Sequence, residues 1–274
     1  MNEEIATLKS LQELVLIRDE YFQTGDGDRM DEFNAKIDQM KAKLGPKTRT
    51  IFDRLYKRNH VAVAGIANNC CAACGMTVPV SNVQMARVGD RLVCCASCGR
   101  ILYAADEETV SSTKGKVDQE GKVGLERFSN VKLVIPELQA TERVGAIGEL
   151  AEILEANGCI DSADHVVSAA MAREEILSTA TDNDVAFPHV RGVEGGGLTI
   201  AVGVSKKGID WGGVKVHIVF LSMIPVAVSA YYLRFMGAVT KSFGKASVRE
   251  LVIAAPDEST LWRLVQKHTR TELK

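Results

Sequence analysis

Two sets of side chains have types and spacings that could do chemistry. The first is Cys71-Ala72-Ala73-Cys74-Gly75 and Cys95-Ala96-Ser97-Cys98-Gly99, two CxxC pairs separated by twenty residues. Thiolates spaced this way converge on one ion, and the glycine after each pair permits the tight turn that aims backbone N–H groups at sulfur. Four thiolates match the closed tetrahedral set of a structural zinc, which leaves no open position for catalysis at the metal. Cys70 and Cys94 adjoin the pairs. Joining Cys70 to Cys74 would widen the spacing and lose the parallel, so the ligands are read as Cys71, Cys74, Cys95 and Cys98. Cys70 and Cys94 are read as packed neighbours. Cys159, beside Gly158, reads as a small buried side chain.

The second set lies in REEILSTATDNDVAFPHVR, residues 173–191. A short apolar strand, Val185-Ala186-Phe187, runs into Pro188-His189. The proline fixes the backbone just before the histidine and presents it, exposed, at a strand end. Arg173 lies upstream near a helix end. An imidazole nitrogen is nucleophilic at neutral pH, and a guanidinium stabilises a transferring phosphoryl group. The pair therefore suits reversible phosphoryl transfer, although spacing alone also fits an ordinary loop histidine. His60 extends a basic run, His165 reads as a solvated helix position, and His217 as a hydrogen-bonded core residue. His268 is read as favoured by a helix C-terminus.

The elements that carry these residues follow from pattern. Residues 1–58 read as a helical hairpin: a helix over 2–24, a turn at Gly25-Asp26-Gly27-Asp28, and a second helix. That second helix has Met30, Phe33, Ile37, Met40 and Leu44 spaced as in a coiled-coil seam. Gly45-Pro46 should kink or break it. Residues 59–104 read as a small β domain around the cysteines, entered by a strand at 61–66. Polar, aperiodic residues 105–132 read as a linker. Residues 133–274 alternate helix and strand. Helices are expected at 140–157, 162–176 and 227–243 and after Asp257, strands at 198–204, 215–222 and 250–254. The chain thus reads as multidomain, a helical hairpin and β ribbon followed by an α/β domain.

Composition excludes some classes. The 274-residue chain is 46% hydrophobic and 25% charged, enough to bury a core, and its net charge of −2 argues against coating nucleic acid wholesale. A local basic segment at 41–58, with Arg87, Arg91 and Arg100, could still contact phosphates. The acidic, polar start and the metal-type use of cysteine predict a cytoplasmic protein without membrane insertion.

Two resemblances add to this. The run from Cys71 through Pro79 to Arg100-Ile101-Leu102-Tyr103 resembles the four-cysteine zinc ribbon that follows a coiled-coil helical hairpin in a bacterial family, over residues 30–104. The hairpin here is shorter than is usual there. Residues 133–270 resemble the fructose/mannitol/nitrogen-type enzyme IIA of the bacterial phosphoenolpyruvate-dependent phosphotransferase system. The match runs through Arg173-Glu174, Ser178-Thr179, Val185-Ala186-Phe187-Pro188-His189, Gly208-Ile209-Asp210-Trp211 and Pro225. The resemblance implies that His189 accepts phosphoryl from the small histidine phosphocarrier, with Arg173 as its anion-stabilising partner. It also implies a downstream regulatory protein or separate permease as partner.

Two departures stand out. The family's glycine-rich turn is here Ala180–Asp184, without glycine and with Asp182 and Asp184. Tyr232 stands where the family usually has a second active-site histidine. The reading is a phosphocarrier and regulator fused to a zinc-ribbon interaction module. Its rival is a non-catalytic protein- or nucleic-acid-binding regulator with a degenerate enzyme IIA fold.

Overall fold

The computed structural model describes residues 3–23, 30–67, 69–89, 91–104, 124–193 and 197–270. They form two compact units, Met1–Thr109 with Pro225–Leu233, and Val110–Ile224 with Arg234–Lys274. The turn read at 25–28 and most of the expected linker, 105–123, lie outside the described residues.

The first unit opens with α1 (Glu3–Gln23), α2 (Met30–Ala42) and α3 (Pro46–Asn59). Pro46 does more than kink the expected second helix. It separates α2 from α3, sitting where a missing N–H costs nothing at a helix start. Phe33, Ile37 and Leu44 are buried, as the apolar spacing requires. Strands β1 (Val63–Ala67), β2 (Cys70–Cys71), β3 (Val93–Cys94) and β4 (Ile101–Ala104) form a sheet in the order β2-β1-β4-β3. A short helix, α4 (Val80–Val88), joins β2 to β3. Gln12 of α1 binds this sheet to the helices. Its Oε1 accepts from the N–H groups of Ala62 and Val63 at 2.7 Å, and its Nε2 donates to the Val63 carbonyl at 3.0 Å. One apolar core runs from Leu8 and Leu11 through Phe52 to Val63 and Ile101. Hairpin and ribbon, read as two domains, therefore share a core and a hydrogen-bonded seam.

The second unit is built on a five-stranded mixed sheet of β5 (Val134–Ile135), β8 (Thr199–Asp210), β9 (Lys215–Ile224), β6 (Val185–Ala186) and β7 (His189–Arg191). β8 and β9 pair antiparallel, and β6 and β7 both run parallel to β9. One sheet face packs on α5 (Arg143–Ala156) and α6 (Ala163–Ile176) through Ile147, Leu150, Val166 and Ala170. On the other, Phe220 meets Phe235 and Phe243 of α7 (Ser229–Phe243), with ring centroids 6.3 and 5.3 Å away. Two further helices, α8 (Ala246–Ile253) and α9 (Glu258–Thr269), complete the unit. Asp257 caps α9 by accepting from the Thr260 N–H at 2.8 Å.

Two sequence expectations change. Residues 250–254 are not a strand: they fall in α8 and the residue after it. The apolar run Leu251-Val252-Ile253 suggested a strand, yet the buried pair is Val248 and Val252, four apart. The second unit also begins before residue 133. Leu125 and Phe128 are buried, the Phe128 carbonyl accepts from the Ile200 N–H at 2.9 Å, and Gln266 Nε2 donates to Glu126.

Gly203 in β8 shows how closely the sheet is covered. A Cβ there would lie 2.7 Å from a methyl of buried Leu138. Gly203→Ala should therefore lower stability by about 1–3 kcal/mol through overpacking, read as an earlier urea midpoint with unchanged slope.

Candidate functional site

The four predicted ligands come together. Each pair of cysteines closes a turn in which the following glycine donates back to the first cysteine's carbonyl, Gly75 at 2.8 Å and Gly99 at 2.9 Å. Both glycines are left-handed, with φ of 73° and 76°, a conformation costly for residues with a Cβ. Cys71 and Cys98 sulfurs lie 3.8 Å apart, Cys74 and Cys95 sulfurs 3.7 Å, and all four lie within 4.8 Å of one another. A tetrahedron with metal–sulfur bonds of about 2.3 Å has edges of about 3.8 Å, so this cluster could hold a metal ion. Cys94 is exposed and not a packed neighbour, while Cys70 is half-buried.

The thiols differ electrostatically. Burial pushes Cys71 and Cys74 up. Burial also raises Cys98, but hydrogen bonds from the Arg100 backbone and side chain, and from Cys74 and Cys95, outweigh it and bring that thiol down to about 7.

His189 opens β7. Its Nδ1 lies 3.0 Å from the Phe187 carbonyl oxygen, which can only accept, so Nδ1 carries the proton and Nε2 the lone pair. Pro188 separates β6 from β7. Its carbonyl accepts from the Ser222 N–H at 3.0 Å, so its proton-less nitrogen also faces β9 and the ladder is interrupted there. The register nevertheless holds across the gap, since Ala186 pairs with Val219 and His189 with Ser222. The imidazole is 1% exposed, so the presentation to solvent expected from sequence is not what the fold gives.

A buried carboxylate organises the approach to this strand. Glu174, beside Arg173 at the end of α6, is 3% exposed. It accepts from the Thr179 N–H at 3.1 Å, the Thr179 hydroxyl, and Trp211 Nε1 at 2.9 Å. The Thr179 carbonyl in turn accepts from the Phe187 N–H at 3.2 Å. The sequence showed Glu174 only as part of a motif; its partner Trp211 is 37 residues away.

The glycine-poor turn has a structural answer. Asp184 takes the left-handed backbone, φ 59°, which aspartate tolerates better than most residues. Its side chain lies 3.8 Å from Arg249 Nε, whose positive charge offsets its own. Asp182 is exposed.

The other predicted residues are placed as follows. Arg173 is mostly buried and donates to the Leu177 carbonyl at 2.8 Å, on α6, which lies against β7. Tyr232 is fully buried near the start of α7, in the segment that groups with the first unit. His217 donates through Nδ1 to the Ser205 carbonyl at 2.8 Å, and His165 is exposed. His60 caps α3 with a left-handed backbone. His268 is pushed down by burial and by Lys267 and Lys245, against the helix-end expectation.

Residues 127–268 match the family model for the phosphoenolpyruvate-dependent sugar phosphotransferase system, EIIA 2. The fructose-specific EIIA component of Haloferax volcanii is 24% identical over 140 residues, covering 50% of this chain and 91% of that protein. The fructose-specific EIIABC component of Bacillus subtilis is 21% identical over 136 residues. That alignment covers 48% of this chain and spans only 21% of the relative's length. The nitrogen regulatory protein IIA-Ntr from Neisseria meningitidis matches 50% of this chain and 96% of its own, at 19% identity and TM-score 0.45.

Two outcomes are expected from these arrangements. Glu174→Leu removes the acceptor of three buried donors and should cost at least about 1–3 kcal/mol of stability in chemical denaturation, whereas Glu174→Gln should cost less, because the Thr179 hydroxyl can turn to accept from the amide. Zinc titrated into the metal-free protein should displace thiol protons. Since Cys98 ionises near 7 and Cys71 and Cys74 lie higher, calorimetry should count about one proton fewer at pH 8 than at pH 6.

Proposed function

Since this chain belongs to the EIIA 2 family of the phosphoenolpyruvate-dependent sugar phosphotransferase system, we propose that it is a phosphocarrier acting through His189. The donor is the small histidine phosphocarrier of such a system, and a separate permease or regulatory protein receives the group. The observation that carries this reading is the hydrogen bond from His189 Nδ1 to the Phe187 carbonyl, which leaves Nε2 as the nucleophile.

The step is an in-line displacement. The Nε2 lone pair attacks phosphorus of the donor's phosphohistidine. The donor's P–N bond breaks as the new one forms, and its electron pair returns to the donor's ring nitrogen. Arg173 balances charge on the transferring oxygens. With His189 1% exposed, transfer requires an opening over the imidazole, and the observed rate scales with the open fraction. The same burial favours a second reading, in which the family fold is kept as a binding module without the chemistry.

The cysteine cluster complements this role as a structural zinc site held by Cys71, Cys74, Cys95 and Cys98, supporting a ribbon used for macromolecular contacts. Bound zinc supplies cross-linking of the two turns and no reactive position. The protein is read as cytoplasmic. Among the described residues no helix is long and apolar enough to cross a membrane.

Full-length protein should be incubated with phosphoenolpyruvate, the system's first enzyme and its small phosphocarrier. We expect one acid-labile, base-stable phosphate that His189→Ala abolishes without unfolding the domain. Arg173→Ala should slow labelling by about 10²-fold. No uptake, where a known enzyme IIA labels fully, would leave the binding-module reading. Elemental analysis of the same preparation should find one zinc per chain.

A further inference from the structure

Ser222 is out of place unless it has a second partner. It lies in the middle of β9 and is 0% exposed. Its N–H donates to the Pro188 carbonyl at 3.0 Å. Its hydroxyl is fully buried and has no hydrogen-bond partner among the described residues. Leaving such a group dry and unpaired is destabilising, a cost that an alanine there would avoid.

The surroundings make the cost conspicuous. Ser222 pairs with Ile200 on one side and His189 on the other. Residues paired across adjacent strands present their side chains on the same face, about 4.8 Å apart. The step before this one on that face is Phe187 stacked on Phe220, centroids 5.6 Å apart, with Phe235 and Phe243 against Phe220. An aromatic layer would continue most economically with another apolar side chain. Instead it continues with an imidazole and, beside it, a hydroxyl.

We propose that Ser222 is a ligand of the phosphoryl group carried by His189, its hydroxyl donating a hydrogen bond to a phosphoryl oxygen. The proposal rests on the phosphocarrier reading and deepens it. In the unphosphorylated protein the hydroxyl is idle and destabilising. On phosphorylation a charged acceptor arrives one strand away, and the hydroxyl becomes a neutral donor inside a low-dielectric layer. Serine also leaves more room beside the ring than a larger apolar residue would, which a phosphoryl group needs.

The two states give effects of opposite sign. Ser222→Ala should leave the unphosphorylated protein as stable as the wild type or more so, with an equal or higher denaturation midpoint. The same variant should load phosphate about 10- to 100-fold more slowly, or lose it that much faster, as expected for one hydrogen bond to a charged group. The phosphohistidine ³¹P resonance should shift, and Ser222→Thr should restore loading because it keeps the hydroxyl. Equal loading and loss in Ser222→Ala, with an unmoved resonance, would overturn the proposal while the phosphocarrier reading stood. A lower midpoint for unphosphorylated Ser222→Ala would also overturn it, since the hydroxyl would then be structural. If wild-type protein takes up no phosphate where a known enzyme IIA labels fully, the phosphocarrier reading fails, and this proposal with it.

Discussion

The orientation of His189 hangs on a buried carboxylate three hydrogen bonds away. Glu174 holds Thr179, the Thr179 carbonyl holds the Phe187 N–H, and the Phe187 carbonyl holds His189 Nδ1. Each link fixes the next peptide plane, so the ring nitrogen that can act as a nucleophile is chosen by a residue that never touches it. Trp211 closes the arrangement from the far side through its indole N–H. A carboxylate in a nearly dry interior is normally costly, but three donors replace the water it lost and no cation is needed beside it.

The edge position of β6 and β7 makes this chain of bonds feasible. On an edge strand every second peptide points away from the sheet, and Phe187 is such a residue. Its N–H reaches Thr179 and its carbonyl is left for the imidazole. In a central strand both groups would be consumed by a ladder. Pro188 faces the other way, toward β9, where its missing N–H costs one ladder bond. The break localises irregularity at the one point where a side chain must be held by backbone, while the register on either side stays intact.

What the sequence revealed depended on whether a signal was local. The run from Arg173 to His189 was legible because its members lie within one α–turn–β unit, and the cysteine pairs because a metal turn needs only five residues. Helix–strand alternation was recovered where the period was long, as in α5, α6 and β8. It failed at α8, where three apolar residues in a row look alike in helix or strand and only Val248 identifies the period. The turn before β6 showed that glycine was missing, but not that Asp184 takes the left-handed backbone or that Arg249, sixty-five positions on, lies beside it. Burial of His189 was invisible, since it depends on what is packed over the sheet. Ser222 was one small polar residue in an apolar run, meaningful only once its hydroxyl was seen to be dry and its strand partner to be His189.

The ribbon solves a different problem with the same economy. Its own core is small: Ile66, Val78, Val83, Val93 and Leu102 are the chief apolar side chains gathered around the cysteines. The strands behind it lean on the helices through Val63 and Ile101, whereas the two tight turns have only this small cluster, and in such turns metal binding commonly supplies part of the folding free energy. The thiols are unequally prepared for that. Cys71 and Cys74 are held protonated by burial, whereas Cys98 is drawn toward the thiolate by Arg100. Arg100 thus acts on both sides of the fold: its Nε satisfies the Val61 carbonyl at 3.1 Å, and its hydrogen bonds favour the Cys98 thiolate that a metal ion would need.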